Sequence, residues 1–138
     1  QWSEAGQNYG GSSTFCHFSL AVMEQCLRGE ELRARHQAAL LKLRKKALWE
    51  KARAELAWLG HQKRCLENLQ DSKGASAMAT KQRKILRELK QEQAEIQHLQ
   101  NIYKAAHQER KLLLKQQSEI LMMQHSTAQL QEKLQNMS

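Results

Sequence analysis

Proline is absent from this chain of 138 residues, and aromatic and β-branched side chains are scarce. It has two Phe, two Tyr and a single valine, Val22. These are the residue types that fill pleated, half-buried sheets, so their scarcity argues strongly against a β-rich fold. Leu, Ala, Lys, Arg, Glu and Gln dominate instead. That composition is typical of long helices and coiled coils.

Other absences limit the function. No stretch approaches the roughly 18 apolar residues of a membrane span, so no membrane contact is expected. The three cysteines, Cys16, Cys26 and Cys65, fit neither a disulfide framework nor a zinc pattern, which indicates reduced thiols in an intracellular protein. The chain has no phosphate-binding glycine loop and no nucleophile motif. The sequence predicts a protein that is not an enzyme and takes no cofactor, metal or small-molecule substrate.

Composition divides the chain into four predicted segments. The first segment is polar and rich in Gly and Ser. A short break that contains Gly and Ser separates the two helical segments that follow it. In that break, Gly74 is predicted to cap the helix before it and Ser76 to cap the helix after it. The segments are a disordered or extended arm at 1–14, a first long helix at 15–70, a linker at 71–76, and a second long helix at 77–137.

Apolar residues recur at seven-residue spacing in both helical segments, as they do in coiled coils. One long helix cannot bury such a stripe alone, so each helix needs a partner. Because the linker is short, the sequence favours an all-α fold of two long helices in an antiparallel helical hairpin. An extended coiled coil of parallel chains, or a nearly continuous rod, stays open. The residues predicted to pack on a partner helix are Leu41, Leu48, Leu59, Leu99, Leu113 and Ile120, with Trp49 and Trp58 beside the stripe.

Positive charge is concentrated in the middle of the chain. Residues 31–90 contain sixteen basic and six acidic side chains, a net charge of +10, whereas the whole chain carries +8. At about 100° per residue, five cations of the first helix fall within about 40° of one another. They form either a solvated face or a docking surface for an acidic polymer, and their concentration favours docking. The predicted binding residues are Arg35, Lys42, Lys46, Arg53 and Arg64, followed by Arg83, Arg87 and Lys90.

Two stretches carry a family resemblance: EELRARHQAALLKLRKKALWEKARAELAWLGHQKRCLENL (30–69) and KQRKILRELKQEQAEIQHLQNIYKAAHQERKLLLKQQSEI (81–120). They resemble a coiled-coil segment of the centrosome-associated protein 350 family, and the resemblance extends over residues 15–135. Its most specific pieces are ELRARHQAALL and AELAWLGHQK. Departures from the family sequence at Gly29, Trp49 and Gly60 indicate a shorter coiled-coil paralogue. The resemblance implies a microtubule-associated, centrosomal or ciliary setting and brings no catalytic residue with it.

The expected function is therefore a structural, microtubule-associated coiled-coil scaffold of a centrosome, centriole or ciliary axoneme, located in the cytoplasm and cytoskeleton. Its basic face would dock on the acidic microtubule surface, with tubulin or microtubules and other coiled-coil proteins as partners. The alternative is a protein–protein adaptor that recruits other centrosomal proteins without touching tubulin. Nucleic acid is disfavoured as a partner, because the basic stretch at 81–90 has no Asn to read a base edge.

Overall fold

A computed structural model describes residues 12–137, with side chains from Thr14 onward. It contains two helices, α1 at Ser12–Asn68 and α2 at Ser72–Met137, and no strand within the described residues. The prediction of an all-α helical hairpin is confirmed. Because no proline interrupts either helix, the ladder of backbone hydrogen bonds continues through each of them. Within the described part of the chain, neither helix is apolar enough over a sufficient length to cross a membrane.

The N-terminal boundary of α1 lies earlier than predicted. The disordered or extended arm was predicted at residues 1–14, and residues 1–11 of it lie outside the described residues. The last three residues of the predicted arm, Ser12, Ser13 and Thr14, instead form the first turn of α1. Serine and threonine are common at helix starts, so a polar composition alone does not mark where a helix begins.

Helix α1 ends in a left-handed cap at residues 69–71. The backbone φ of Gln70 is 58°, a conformation that glycine adopts far more readily than glutamine. The Gln70 N–H donates to the Glu67 carbonyl at 3.0 Å, and the Asp71 N–H donates to the Leu66 carbonyl at 2.9 Å. These two bonds satisfy carbonyl groups that would otherwise be left free at the helix end.

Asp71 is the N-cap of α2, so the predicted linker at 71–76 is too long and lies too late. The Asp71 carboxylate accepts a hydrogen bond from the Gly74 N–H at 2.9 Å, and the Asp71 carbonyl accepts one from the Ala75 N–H at 3.1 Å. Gly74 and Ser76, predicted to be caps, both lie inside α2. Gly74 has a different role there: a Cβ at this position would lie 2.6 Å from Asp71 Oδ2, so the glycine lets the capping carboxylate approach.

The helices pack in two units. The central unit comprises residues 36–103 and contains the turn, and its two helix segments run antiparallel. Its core is a narrow seam of small and branched apolar side chains, in which Ile96 is completely buried. The approach is close at Gly60, where an added Cβ would lie 3.5 Å from Gln82 Nε2. The buried seam residues of this unit are Leu41, Ala52, Ala75, Leu89 and Ile96.

The terminal unit comprises residues 12–35 and 104–137 in its described part. Its helix segments are also antiparallel, since Cys16 lies against Leu121 while Glu30 lies against Arg110. The Cys16 thiol is buried and lies 3.7 Å from the Leu121 carbonyl. Much of this seam is polar, and Glu30 is only 8% exposed.

The predicted packing residues divide into two groups. Leu41 is buried, and Leu48, Leu59 and Leu99 are partly buried. The other four predicted residues are about half exposed or more and lie outside the seam within the chain. Whether they pack against a helix of another chain stays a prediction. These four are Trp49, Trp58, Leu113 and Ile120.

In the terminal unit, α2 faces α1 through a different series from the predicted one. The partly buried residues there include Leu114, Ser118 and Leu121. Leu114 and Leu121 directly follow the predicted residues Leu113 and Ile120. A helix turns by about 100° per residue, so a shift of one position moves the stripe to another face. The stripe with the largest apolar side chains was expected to face inward, and it faces outward.

Candidate functional site

The central unit carries an exposed row of cations along α1, which we call the basic row: Lys42, Lys46, Arg53 and Arg64. All four side chains are exposed, and the spacings of 4, 7 and 11 residues keep them on one side of the helix. Arg35, the remaining predicted member, is exposed in the terminal unit. Their exposure follows from helix geometry, because the buried seam residues Leu41 and Ala52 each directly precede a cation of the row and lie about 100° away from it around the helix.

Carboxylates within the chain compensate the basic row only weakly. Lys46 Nζ lies 3.8 Å from Glu50 Oε1, and both side chains are well exposed. The lysine precedes the glutamate by four residues, which is the less favourable order for such pairs on a helix. Lys42, Arg53 and Arg64 form no ion pair with any described residue. Because exposed pairs contribute about 1 kcal/mol or less, an external acidic surface can displace them easily.

A second group of predicted cations lies on α2 of the same unit. Arg83, Arg87 and Lys90 are exposed and point away from the buried Leu89. Arg83 donates a hydrogen bond to Thr80 Oγ1 at 3.1 Å, which leaves its charge uncompensated. These residues extend the positive surface of the central unit beyond α1.

Helix α1 also has an outward apolar face in the central unit, which includes Leu40, Leu43 and Trp58. By helix geometry this face runs between the basic row and a second pair of cations, Arg44 and Lys51. Near Trp58, a shallow groove of about 420 Å³ lies between the two helices; Leu59 and Ile85 form its apolar lining, and its charged lining is balanced between Lys81 and Lys84 on one hand and Glu55 and Glu88 on the other. An apolar strip bordered by cations suits an acidic, amphipathic partner.

A buried ion-pair network in the terminal unit centres on Glu30. Its carboxylate accepts hydrogen bonds from Arg110 Nε at 2.6 Å, from an Arg33 guanidinium nitrogen at 2.6 Å, and contacts His107 Nδ1 at 3.1 Å. Burial raises the pKa of Glu30, but these hydrogen bonds outweigh that effect and lower it to about 2. The network joins α1 to α2 and ties their register to charged side chains.

The neighbouring Glu31 adds a second link between the helices. Its carboxylate pairs with Lys111 Nζ at 2.8 Å, and the other ring nitrogen of His107 lies 3.7 Å away. The hydrogen bond from Lys111 lowers the pKa of Glu31. None of the residues of this network is among the predicted site residues. A usable signal was present, since Glu30 lies seven residues after Met23 and fourteen after Cys16, in a series that faces inward.

No metal-binding group of three or more His, Cys, Asp or Glu side chains occurs among the described residues. His61 and Cys65, four residues apart on α1, come within 3.8 Å of each other as a two-residue contact. This pair is not among the predicted site residues, although its spacing places both side chains on one face of a helix.

Comparison with known proteins supports the resemblance seen in the sequence. No protein-family model matches the chain, and no solved structure matches it. Over 125 residues, which are 91% of this chain, it is 48% identical to centrosome-associated protein 350 of Mus musculus. The chain spans 4% of the length of that protein. The expected resemblance is thus confirmed, and the chain is similar to one short segment of centrosome-associated protein 350.

Proposed function

We propose that the chain is a structural, microtubule-associated scaffold of a centrosome, centriole or ciliary axoneme, without enzymatic activity. In this proposal the basic row, with Arg35 and the cations of α2, docks on the acidic microtubule surface. The observation that carries it is an exposed line of cations with few carboxylate partners of its own. The similarity to a protein named centrosome-associated supports the cytoskeletal setting.

Docking of this kind depends on many weak contacts. A single exposed ion pair contributes about 1 kcal/mol or less, so no one residue decides binding. A row of three or four acting together changes the free energy of binding by a few kcal/mol, and each 1.4 kcal/mol is about tenfold in affinity. Because such contacts are solvent-exposed, binding should weaken as salt shortens the Debye length below about 8 Å.

The direct test reverses the three unpaired cations of the row in one variant, Lys42→Glu, Arg53→Glu and Arg64→Glu. These side chains are exposed, so helicity measured by circular dichroism should be unchanged. We expect cosedimentation with microtubules to weaken at least about tenfold, because three attractive contacts become repulsive.

A matched control separates position from total charge. Lys104→Glu, Lys115→Glu and Lys133→Glu reverse three exposed cations of the terminal unit and change the net charge equally. This control should bind nearly as well as the parent chain. Equal loss in both variants would show that only overall charge matters, and unchanged binding in the first variant would show that the basic row does not bind microtubules.

A second candidate function is the adaptor, and the outward apolar face of the central unit favours it. There Trp58, 61% exposed, would enter a partner protein while the cations only orient it. Tryptophan side chains often dominate such interfaces. Partner binding that survives high salt but is lost in Trp58→Ala would support the adaptor and count against electrostatic docking.

A further inference from the structure

The C-terminal part of α2 exposes large apolar side chains that no described residue covers. Leu113 is 53% exposed, Ile120 49% and Leu134 67%, and the three share one face of the helix. This face lies in the terminal unit and shares no residue with the basic row or with the outward apolar face of α1. We call it the outward stripe; its large apolar members are Leu113, Ile120, Met123, Leu130, Leu134 and Met137.

The inward face of the same helix is more polar than the outward stripe. There α2 presents His107, Arg110, Ser118 and His125 toward α1 together with a few leucines. A helix normally turns its largest apolar side chains toward its partner, because burying them provides the main stabilisation. Here that arrangement is reversed, so the hairpin alone leaves the more apolar face of this segment in water. A contiguous exposed apolar patch marks an interaction site.

The outward stripe has the spacing of a coiled-coil seam. From Leu113 to Met137 its positions alternate by three and four residues without a break, which corresponds to the a and d positions of a heptad. One a position is Thr127, whose hydroxyl donates to the Met123 carbonyl at 2.9 Å. That hydroxyl is therefore already hydrogen-bonded and can be covered by a partner helix at little cost.

The residues beside the stripe indicate which partner fits. On one side are three glutamines, Gln117, Gln124 and Gln131, and on the other the only charges are Glu119 and Lys133. A basic or acidic partner would find no complementary row of charge here. Two copies of the stripe would meet no like-charge repulsion, since Glu119 would face Gln124 of the other copy. The stripe is thus self-compatible.

One polar position within the stripe indicates the orientation. Gln116 occupies a d position, and its amide is both donor and acceptor. In a parallel, in-register pair, Gln116 faces its own copy and the two amides can bond each other. In an antiparallel pair centred on the stripe, Gln116 would face the region of Leu134 and lose that partner. A buried amide without a partner is unfavourable.

We propose that residues 113–137 of α2 bind the same segment of a second copy of the chain as a parallel, two-stranded coiled coil. The inward face of α2 would keep its contacts with α1, because the two faces lie nearly opposite each other on the helix. This inference is independent of microtubule binding, since it uses neither the basic row nor the charge of the central unit.

Light scattering on the complete chain during size-exclusion chromatography tests the proposal. The wild-type chain should have twice its monomer mass of 16.0 kDa at micromolar concentrations. The variant Ile120→Glu and Leu134→Glu should have the monomer mass, with helicity retained, because both side chains lie outside the seam between α1 and α2. The control variant Gln129→Glu and Asn136→Glu adds the same charge on exposed positions off the stripe and should stay dimeric.

A monomeric wild-type chain would overturn the proposal and leave the stripe to a different protein. A dimer that survives the Ile120 and Leu134 substitutions, or one that is lost in the control, would also overturn it.

Orientation is tested by Thr127→Cys in a chain whose exposed Cys26 and Cys65 are replaced by serine. Because an a position of a parallel coiled coil faces the same position in the other copy, mild oxidation should give a disulfide-linked dimer. The matched Gln129→Cys variant lies off the stripe and should not cross-link. A dimeric mass without a cross-link through position 127 would contradict the parallel arrangement.

Discussion

Replacing Glu30 with glutamine should weaken the terminal unit far more than a typical charge substitution. Glutamine has nearly the same size but cannot act as the charged acceptor for Arg110, Arg33 and His107. The pKa of Glu30 falls from an ordinary 4.5 to about 2 in the folded chain, and one unit corresponds to about 1.4 kcal/mol. That difference sets an upper value of about 3.5 kcal/mol. Because both arginines are partly hydrated, we expect a loss of about 2 kcal/mol.

Thermal unfolding followed by circular dichroism at neutral pH measures this effect. At roughly 4 °C per kcal/mol, the midpoint of Glu30→Gln should fall by about 8 °C. The control is Glu24→Gln on the same helix, where the carboxylate makes an exposed pair with Arg28 at 3.2 Å. That change should cost less than about 0.5 kcal/mol. If the two variants unfold at the same temperature, the buried network does not stabilise the unit.

The same variant has a defined pH dependence. Because the folded pKa of Glu30 is depressed, its contribution is fully present above the unfolded value near 4.5 and is lost as pH falls toward about 2. The wild-type chain should therefore lose its advantage over Glu30→Gln across that interval. A gap between the two midpoints that stays constant down to about pH 2 would show that the charge of Glu30 is not the cause.

Two further predictions concern the turn and the core of the central unit. Gln70→Gly should stabilise the chain by about 0.5–1 kcal/mol, because Gln70 has a positive φ of 58°. The control Gln91→Gly within α2 should destabilise it by about 1 kcal/mol. Chemical denaturation compares the two variants, and a loss of stability in Gln70→Gly would contradict the role of the left-handed cap. Ile96→Ala should lower the free energy of unfolding by about 3 kcal/mol, because Ile96 is fully buried. The control Ile102→Ala, at a position that is 45% exposed, should change it by less than about 1 kcal/mol. Equal effects of the two substitutions would show that Ile96 is not part of the seam.

Helix content and the hairpin could be predicted because they depend on local and repetitive features. The absence of proline and the seven-residue spacing act at every turn, and the short break favours antiparallel neighbours. In the central unit the same spacing also identified seam residues, since Leu41 and Leu48 belong to a single apolar series. The exposed position of the basic row followed as well, because a helix fixes the angle between positions along one side.

The seam of the terminal unit could not be predicted in this way. Apolar spacing marks two faces of α2 there, and the more apolar one, with Leu113 and Ile120, faces outward. The inward face includes Arg110, which looks like a surface residue until Glu30 is placed opposite it across the seam. Such a pairing joins residues 80 positions apart and leaves no local pattern. The turn was misplaced for a similar reason, because the left-handed residue is Gln70 rather than a glycine.

We propose that the chain docks on microtubules through its exposed cations. Cosedimentation of the complete chain over a series of salt concentrations, with intact microtubules and with microtubules whose acidic tubulin tails are removed, tests it most directly. We expect binding at low salt that falls steeply as salt rises. If binding is lost when the tubulin tails are removed, the contact lies on the tails. No binding at low salt, or binding that salt does not change, would contradict electrostatic docking and favour the adaptor.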